Sequence, residues 1–363
     1  MHNQEIIWKK INEGVFVVAE IGKNFIQTQE DRPQEEYLAN AKDLIRAAKE
    51  AGADAVKFQT HTIEDEQLDI PVTAPHFAGS DRYAWVRRNT EATPLEFWKE
   101  LKIYAESLGV IMFTTPMSRG AAARVASLNF PIWKVASGDM LDFVLIDYLA
   151  STGKPIIIST GMSTLAEVDQ VVKFLQRRQV DFAVLHCASK YPAQAAELSL
   201  GIIPFLFDTY KVPIGFSDHT TGIHEAAKAV SLGARIIEKH LSFSRDLWGA
   251  DHKVSLTPDE FKEMVDEIQE TKNHPIRKDE YHWISSREII PGEEIFRPVF
   301  RKSLMAGQDI PAGTEITKEM LYAMRPQQYA GGLPSEAYLS VVGRETRRDL
   351  KKYDPITQDI IHL

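Results

Sequence analysis

The chain has 363 residues, 44% hydrophobic and 26% charged, a globular composition that excludes a disordered, collagen-like or simple coiled-coil chain. Lys and Arg number 42 against 51 Asp and Glu, so the net charge of −9 argues against nucleic-acid or anionic-membrane partners while leaving room for a local basic pocket. One cysteine, Cys187, excludes an intrachain disulfide, and no run reaches the ~18 apolar residues of a membrane helix, so the expectation is a cytoplasmic protein of roughly two domains.

The polar start, with Lys9 and Lys10, is followed by no apolar leader segment. Eight short apolar, β-branched runs then recur at 16–21, 55–59, 110–114, 132–136, 155–159, 182–186, 212–216 and 235–238. Each is too continuously apolar for a half-exposed antiparallel strand and reads as a parallel strand buried on both faces. Helical patterns lie between them. Pro33 opens one, with Leu38, Ala41, Ile45 and Ala48 on one face and Gly52 after its end. Three further starts carry capping-box pairs, Thr93 with Glu96, Thr164 with Glu167, and Thr257 with Glu260, and Pro94 and Pro258 suit a first helical position. Eight strand–helix alternations ending near Lys272 match the ~250 residues of a (β/α)8 TIM barrel, with an open doubly wound sheet as the alternative. Residues 1–272 are therefore assigned to the barrel, the proline-punctuated stretch 273–299 to a linker, and 300–363 to a small β-rich domain.

In such a barrel, chemistry gathers at the carboxyl ends of the strands. Those ends carry Glu20; Lys57 and Gln59; Thr114 and Thr115; Lys134, Ser137, Gly138 and Asp139; Ser159, Thr160 and Gly161; His186 and Cys187, with Ser189 and Tyr191 beyond; Ser217, Asp218 and His219; and Glu238, Lys239 and His240, with Asp251 in the last loop. Two lysines and several hydroxyls around one mouth suit an anion with several oxygens, such as a phosphate. The competing reading makes Lys57 and Lys134 neutralising partners of Glu20 or Asp139. His219 and His240 end adjacent strands, which lie ~4.8 Å apart, so both imidazoles could reach one divalent metal, with Glu20 or Asp251 completing the site; satisfied polar histidines are the alternative. Cys187 and His186 read as buried structural residues. The stretch 75–88, with Phe77, Tyr83, Trp85 and three arginines, reads either as a cover for the mouth or as a solvated loop.

The motifs Val18-Ala19-Glu20-Ile21-Gly22, Gly52-Ala53-Asp54-Ala55-Val56-Lys57-Phe58-Gln59, Trp133-Lys134-Val135-Ala136-Ser137-Gly138-Asp139, Ser159-Thr160-Gly161-Met162, Tyr191-Pro192, Gly215-Phe216-Ser217-Asp218-His219-Thr220 and Glu238-Lys239-His240 resemble, in order, those of the sialic acid synthases. The tail, with Arg301-Lys302-Ser303-Leu304, Asp309-Ile310-Pro311-Ala312-Gly313, Met324-Arg325-Pro326 and Asp354-Pro355-Ile356-Thr357, resembles that family's antifreeze-like (SAF, β-clip) domain. The resemblance implies a phosphoenolpyruvate-dependent transferase that joins this substrate to an open-chain N-acetylated hexosamine. The product would be a nine-carbon 2-keto-3-deoxy sugar acid. It implies that Lys57, Thr115, Lys134, Ser137, Ser159, Ser189 and Ser217 hold phosphoenolpyruvate, that His219 and His240 bind Mn2+ or Mg2+, and that Glu20 has an acid–base role. Gln59, Asp139, Tyr191 and Asp251 would face the sugar. Arg325 would reach the sugar site of the other subunit in a domain-swapped homodimer. The chain departs from the family pattern at Lys23-Asn24-Phe25-Ile26-Gln27, where Asn-His and a nearby Gly are usual, and at Asp139 and Ser189, where Glu and Asn are common. These changes leave the acceptor open between N-acetylmannosamine and a diacetamido-trideoxyhexose. Readings from other classes are a metal-dependent barrel lyase or isomerase acting on a phosphorylated sugar, and a non-catalytic carbohydrate-binding relative.

Overall fold

The computed structural model describes residues 3–77, 79–271 and 284–361. Eight parallel strands, β1 Phe16–Gly22, β2 Ala55–Thr60, β3 Ile111–Pro116, β4 Trp133–Val135, β5 Ile156–Ser159, β6 Phe182–Cys187, β7 Ile214–Asp218 and β8 Ile236–His240, pair in chain order and close into a barrel. All eight apolar runs are therefore strands, and the open sheet is excluded because β1 pairs with β8 as well as with β2. The strands are buried along nearly their whole length, β1, β6, β7 and β8 without interruption. This is the consequence of helices packing outside and side chains filling inside.

The helices follow the sequence with instructive exceptions. Gln34–Glu50 starts after Pro33 and is followed by Gly52 at φ +90°. Leu165–Arg178 carries the complete Thr164–Glu167 capping box, and in Pro258–Thr271 Glu260 and Thr257 exchange the same two bonds at 2.8 and 3.4 Å. The Thr93–Glu96 box does not form. The Thr93 hydroxyl instead donates to Asn89 O at 2.7 Å, closing the preceding helix Arg82–Ala92, and Pro94 stands at the N-cap of Leu95–Ser107 rather than in its first turn. That preceding helix replaces much of the loop expected at 75–88. Asp81 caps it by accepting from Ala84 N at 2.8 Å. No helix of the described residues is long and apolar enough to cross a membrane.

The last residues form a small module around the antiparallel pair β9 Ser303–Ala306 and β10 Leu321–Met324. The stretch read as a linker falls partly outside the described residues, at 273–283. Its remainder is packed against the barrel rather than strung through solvent. Arg287 is buried and donates to Ser163 O, Thr160 O, Cys187 O and His186 Nδ1, and buried Glu293 accepts from Met162 N at 3.1 Å and Ser189 N at 2.6 Å. These bonds satisfy the loops after β5 and β6, whose backbone groups lie beyond the end of the sheet ladder.

The tail closes over the barrel of its own chain. Arg325 N donates to Glu66 O at 2.9 Å and Leu68 N to Arg325 O at 2.8 Å, a strand-like splice between β10 and the segment after β2. Lys302 Nζ, 1% exposed, sits 2.9 Å from Asp139 Oδ1 and 2.8 Å from Asp142 Oδ2. In the single chain these contacts bring Arg325 to the mouth of its own barrel.

Candidate active site

Alternation along a strand decides which residues enter the barrel. Lys57 and Gln59 on β2, Glu238 and His240 on β8, and Ser217 with His219 just beyond β7 are spaced two apart and all line one cavity. Lys239, between the inward pair, faces the other way and is locked to Asp218 at 2.7 Å. The register sets Glu20 level with both Lys57 and His240, and an irregularity between Glu20 and Gly22, the latter at φ +54°, ends the regular pairing there. The cavity volume is about 110 Å3. Of the residues expected there, Glu20, Lys57, Gln59, Thr115, Lys134, Ser137, Ser159, Ser189, Tyr191, Ser217, His219, His240, Asp251 and Arg325 line it. Asp139 does not: it is buried behind Arg325 and Lys302 and binds both.

The floor is a buried network of two cations and two anions. Lys57 Nζ lies 2.7 Å from Glu20 Oε2, 2.9 Å from Thr115 Oγ1 and 3.6 Å from Glu238 Oε2. Lys134 Nζ donates to Ser159 Oγ at 2.6 Å and lies 3.8 Å from Glu238 Oε1, which accepts from Ser217 Oγ at 3.0 Å. The neutralising reading thus holds for Lys57 with Glu20, whereas Lys134 pairs with Glu238 and not Asp139. Burial raises the Glu20 carboxyl despite Lys57. For Glu238 burial acts in the same sense, but Lys134 and Lys57 outweigh it and bring the group down to about 2. Burial lowers Lys134 to about 8, whereas for Lys57 the same penalty is outweighed by Glu20 and Glu238 and its affinity for a proton rises. The serines converge as well. Gly161 N donates to Ser137 Oγ at 3.0 Å, and a Cβ at Gly161 would stand 2.0 Å from Ser189 Oγ, so only a glycine lets those hydroxyls close in.

The rings of His219 and His240 are 5.4 Å apart. His219 Nδ1 donates to Ala188 O at 3.0 Å, which leaves Nε2 for a ligand, and buried His240 Nδ1 has no hydrogen-bond partner. Burial brings His240 down to about 3, so it presents a neutral, metal-competent ring. Two imidazoles with an orphaned nitrogen fit a divalent cation, but among the described residues no set of three His, Cys, Asp or Glu side chains converges on one point.

Cys187 and His186 are structural, as expected. Cys187 is buried outside the cavity lining, and burial together with Arg287 holds His186 at about 3. Asn24 braces loops through Leu241 O and Ser255 Oγ, and the unusual Phe25 packs among Phe58, Phe97 and Trp98.

The cavity also contains Lys23, His76, Arg82, Met117, Met162, Phe296 and Phe300, to which sequence reasoning assigned no role, and Glu238, which it placed at a strand end without one. Glu238 satisfied the strand-end criterion and its phase matches His240. Arg82 lay in the stretch flagged as a cover. Phe296 and Phe300 carried no local signal, since their place depends on how the tail folds back. His76 stacks on Tyr191 with ring centres 4.7 Å apart, and Tyr191 in turn leans on His219 at 4.5 Å.

A model of the NeuB family matches residues 44–278 and one of the SAF domain matches 301–361. Human N-acetylneuraminate-9-phosphate synthase is 31% identical over 354 residues, covering 95% of this chain and 92% of that protein. N,N'-diacetyllegionaminic acid synthase of Campylobacter jejuni is 30% identical, covering 88% and 94%. The solved structure of the Bacillus subtilis spore coat polysaccharide biosynthesis protein spsE superposes with a TM-score of 0.76 at 31% identity over 96% of this chain and 95% of that one. With its closed barrel, the cation-lined mouth and the tail module that covers it, the chain belongs to the NeuB family, the sialic and related nonulosonic acid synthases, and carries their SAF domain.

Proposed function

We propose that the protein condenses phosphoenolpyruvate with the open-chain form of an N-acetylated hexosamine. C3 of the enol bonds to the aldehyde carbon, water adds at C2, and the C2–O bond breaks to release phosphate and a 2-keto-3-deoxy sugar acid. The observation that carries this reading is the buried floor of Lys57 and Lys134, ringed by Thr115, Ser159 and Ser217, in one cavity at the mouth of the barrel. Two ammonium groups and directed hydroxyls match a phosphate and a carboxylate, and they hold the leaving phosphate throughout the reaction. Glu20, raised by burial and steadied by Gln59 Nε2 at 2.9 Å, takes the proton of the water that attacks C2. A divalent cation, Mn2+ or Mg2+, would be held by His219 and His240 and, when bound, would polarise the sugar aldehyde. The covering tail, with Phe296 and Phe300, keeps bulk water from the cationic carbon that develops at C2.

The test is phosphate release from the full chain with phosphoenolpyruvate, a panel of 2-acetamido aldoses and Mn2+, with mass measurement of the acid formed. Release is expected only with all three present, and it should vanish on chelation and in His240→Ala. Calorimetric titration with Mn2+ should show binding to the wild type and none to that variant. Turnover that survives both chelation and substitution overturns the metal assignment. Turnover without phosphoenolpyruvate overturns the reaction.

The floor also sets a pH dependence. Lys134 is charged below about 8 and neutral above it, since burial and the neighbouring Lys57 lower it more than Glu238 raises it. The charged form is the one that binds phosphate, so kcat/KM for phosphoenolpyruvate is expected to fall about tenfold per pH unit above that point. A profile of initial rates flat to pH ~10 would remove Lys134 from phosphate binding.

A further inference from the structure

Among the described residues, one cation at the mouth has no carboxylate at ion-pair distance. Arg82 opens the helix Arg82–Ala92, and its backbone is pinned: its N–H donates to Val72 O at 2.8 Å, while Asp81 caps the helix and accepts from Val72 N at 3.1 Å. The side chain enters the cavity and is 5% exposed. Among the described residues it forms no ion pair, its Nε has no hydrogen-bond partner, and its main contact is the Phe300 ring, 5.2 Å from the guanidinium carbon. Arg325 also lies against that ring, 5.9 Å from its centre, with Nε and Nη1 unpartnered.

The carboxylates nearby are committed elsewhere. Glu66 is held by His61 at 2.8 Å, and Asp139 is shared by Arg325 and Lys302. Asp251 faces Lys23, which, against the effect of burial, holds its carboxyl well below the usual carboxylate range. Burial and the like charge of Arg325 bring Arg82 down to about 10, the opposite of what a paired guanidinium shows. A guanidinium cannot shed its charge at working pH, and leaving it buried without a partner is costly. The chain bears that cost at the rim of a cavity whose floor already has two lysines for phosphoenolpyruvate. Guanidinium forks bind carboxylates and phosphates in two-point fashion.

We infer that the acceptor sugar carries an anionic group, a carboxylate or a phosphate, on the part remote from its aldehyde, and that Arg82 together with the free nitrogens of Arg325 receives it. This rests on the reading of the floor as the phosphoenolpyruvate site. It assigns the rim to the second substrate and makes Arg82 a specificity-determining residue. The family does not decide the matter, since its named products include one with a phosphate and others without.

The experiment compares N-acetylmannosamine, its 6-phosphate and the corresponding 6-carboxylate as acceptors for the full chain at saturating phosphoenolpyruvate and Mn2+. One anionic acceptor is expected to exceed the neutral one by about 100-fold in kcat/KM, and its identity separates phosphate from carboxylate. In Arg82→Gln and Arg82→Met that ratio should fall about 100-fold, and Arg82→Lys should restore part of it, while KM for phosphoenolpyruvate moves less than twofold. Arg82→Met should melt no lower than the wild type, because it removes an unpaired buried charge. A wild type that prefers the neutral sugar overturns the inference, as does a selective rise in KM for phosphoenolpyruvate or a melting temperature several degrees lower in Arg82→Met. If no acceptor yields phosphate, the condensation reading fails separately. Calorimetric binding of the 6-phosphate and 6-carboxylate sugars then decides the rim: affinity lost about 100-fold in Arg82→Gln upholds it, and equal affinity overturns it.

Discussion

Lys57→Met is expected to lower phosphate release by about a thousandfold, and it should also destabilise the fold by about 3 kcal/mol. Both effects follow from one position. Lys57 touches Glu20 at 2.7 Å, Thr115 at 2.9 Å and Glu238 at 3.6 Å, all buried at the centre of the barrel. Without the ammonium group, two carboxylates share the floor with Lys134 alone, so one of them must take a proton to stay buried. That proton falls most readily on Glu20, whose carboxyl burial has already raised, and a protonated Glu20 cannot accept from water. Lys57→Arg should not rescue activity, because the planar fork does not fit a slot shaped for a point charge between Glu20 and Thr115. Initial rates and denaturant unfolding measure the two effects. A variant that loses activity with unchanged stability would show that the network is not holding the floor together.

Lys302→Met is the second large effect. It should lower the melting temperature by about 10 °C and abolish most activity, although Lys302 is not part of the cavity lining. Lys302 joins Asp139 and Asp142 and donates to Met117 O at 2.5 Å. Asp142 also caps the helix Phe143–Ser151 through Leu145 N at 2.9 Å, and Asp139 anchors Arg325. Removing the lysine leaves two buried acids with a single arginine between barrel and tail, so the cover over the mouth loosens along with the fold. Thermal melts and rates report both; unchanged melting would mean that the tail is seated by its apolar contacts alone.

The barrel was legible because its strands announce themselves: eight apolar runs of the right length and spacing leave little else to build. Much of the floor was legible for a second reason. Residues two apart at a strand end share a face, so Lys57 with Gln59 and Ser217 with His219 had to enter the same space. The same reasoning applied to β8 would have placed Glu238 beside His240. Asp139 was misjudged because it follows β4 in a turn, where alternation no longer fixes direction and the partner that claims it, Arg325, lies 186 residues away. Glu293 and Arg287 were invisible for a related cause: they act on Met162, Ser189 and Thr160 across more than a hundred residues, and nothing in a proline-rich, charged stretch marks it as packed. Thr93 shows the local version, a hydroxyl with two helix ends in reach that served the one before it.

The splice between Arg325 and the segment after β2 bears on how such proteins can be recombined. Barrel and tail look like separable units in the sequence, yet residues 66–68 are hydrogen-bonded to the backbone of β10's end, and the same stretch leads directly into Arg82. A tail transplanted from a relative would bring its own arginine to a rim shaped by the recipient's 66–92. Chimeras that exchange residues 66–92 together with 301–361 should therefore function where exchange of the tail alone does not, and on the reading proposed above the heritable unit of acceptor choice would be a pair of distant segments rather than either domain.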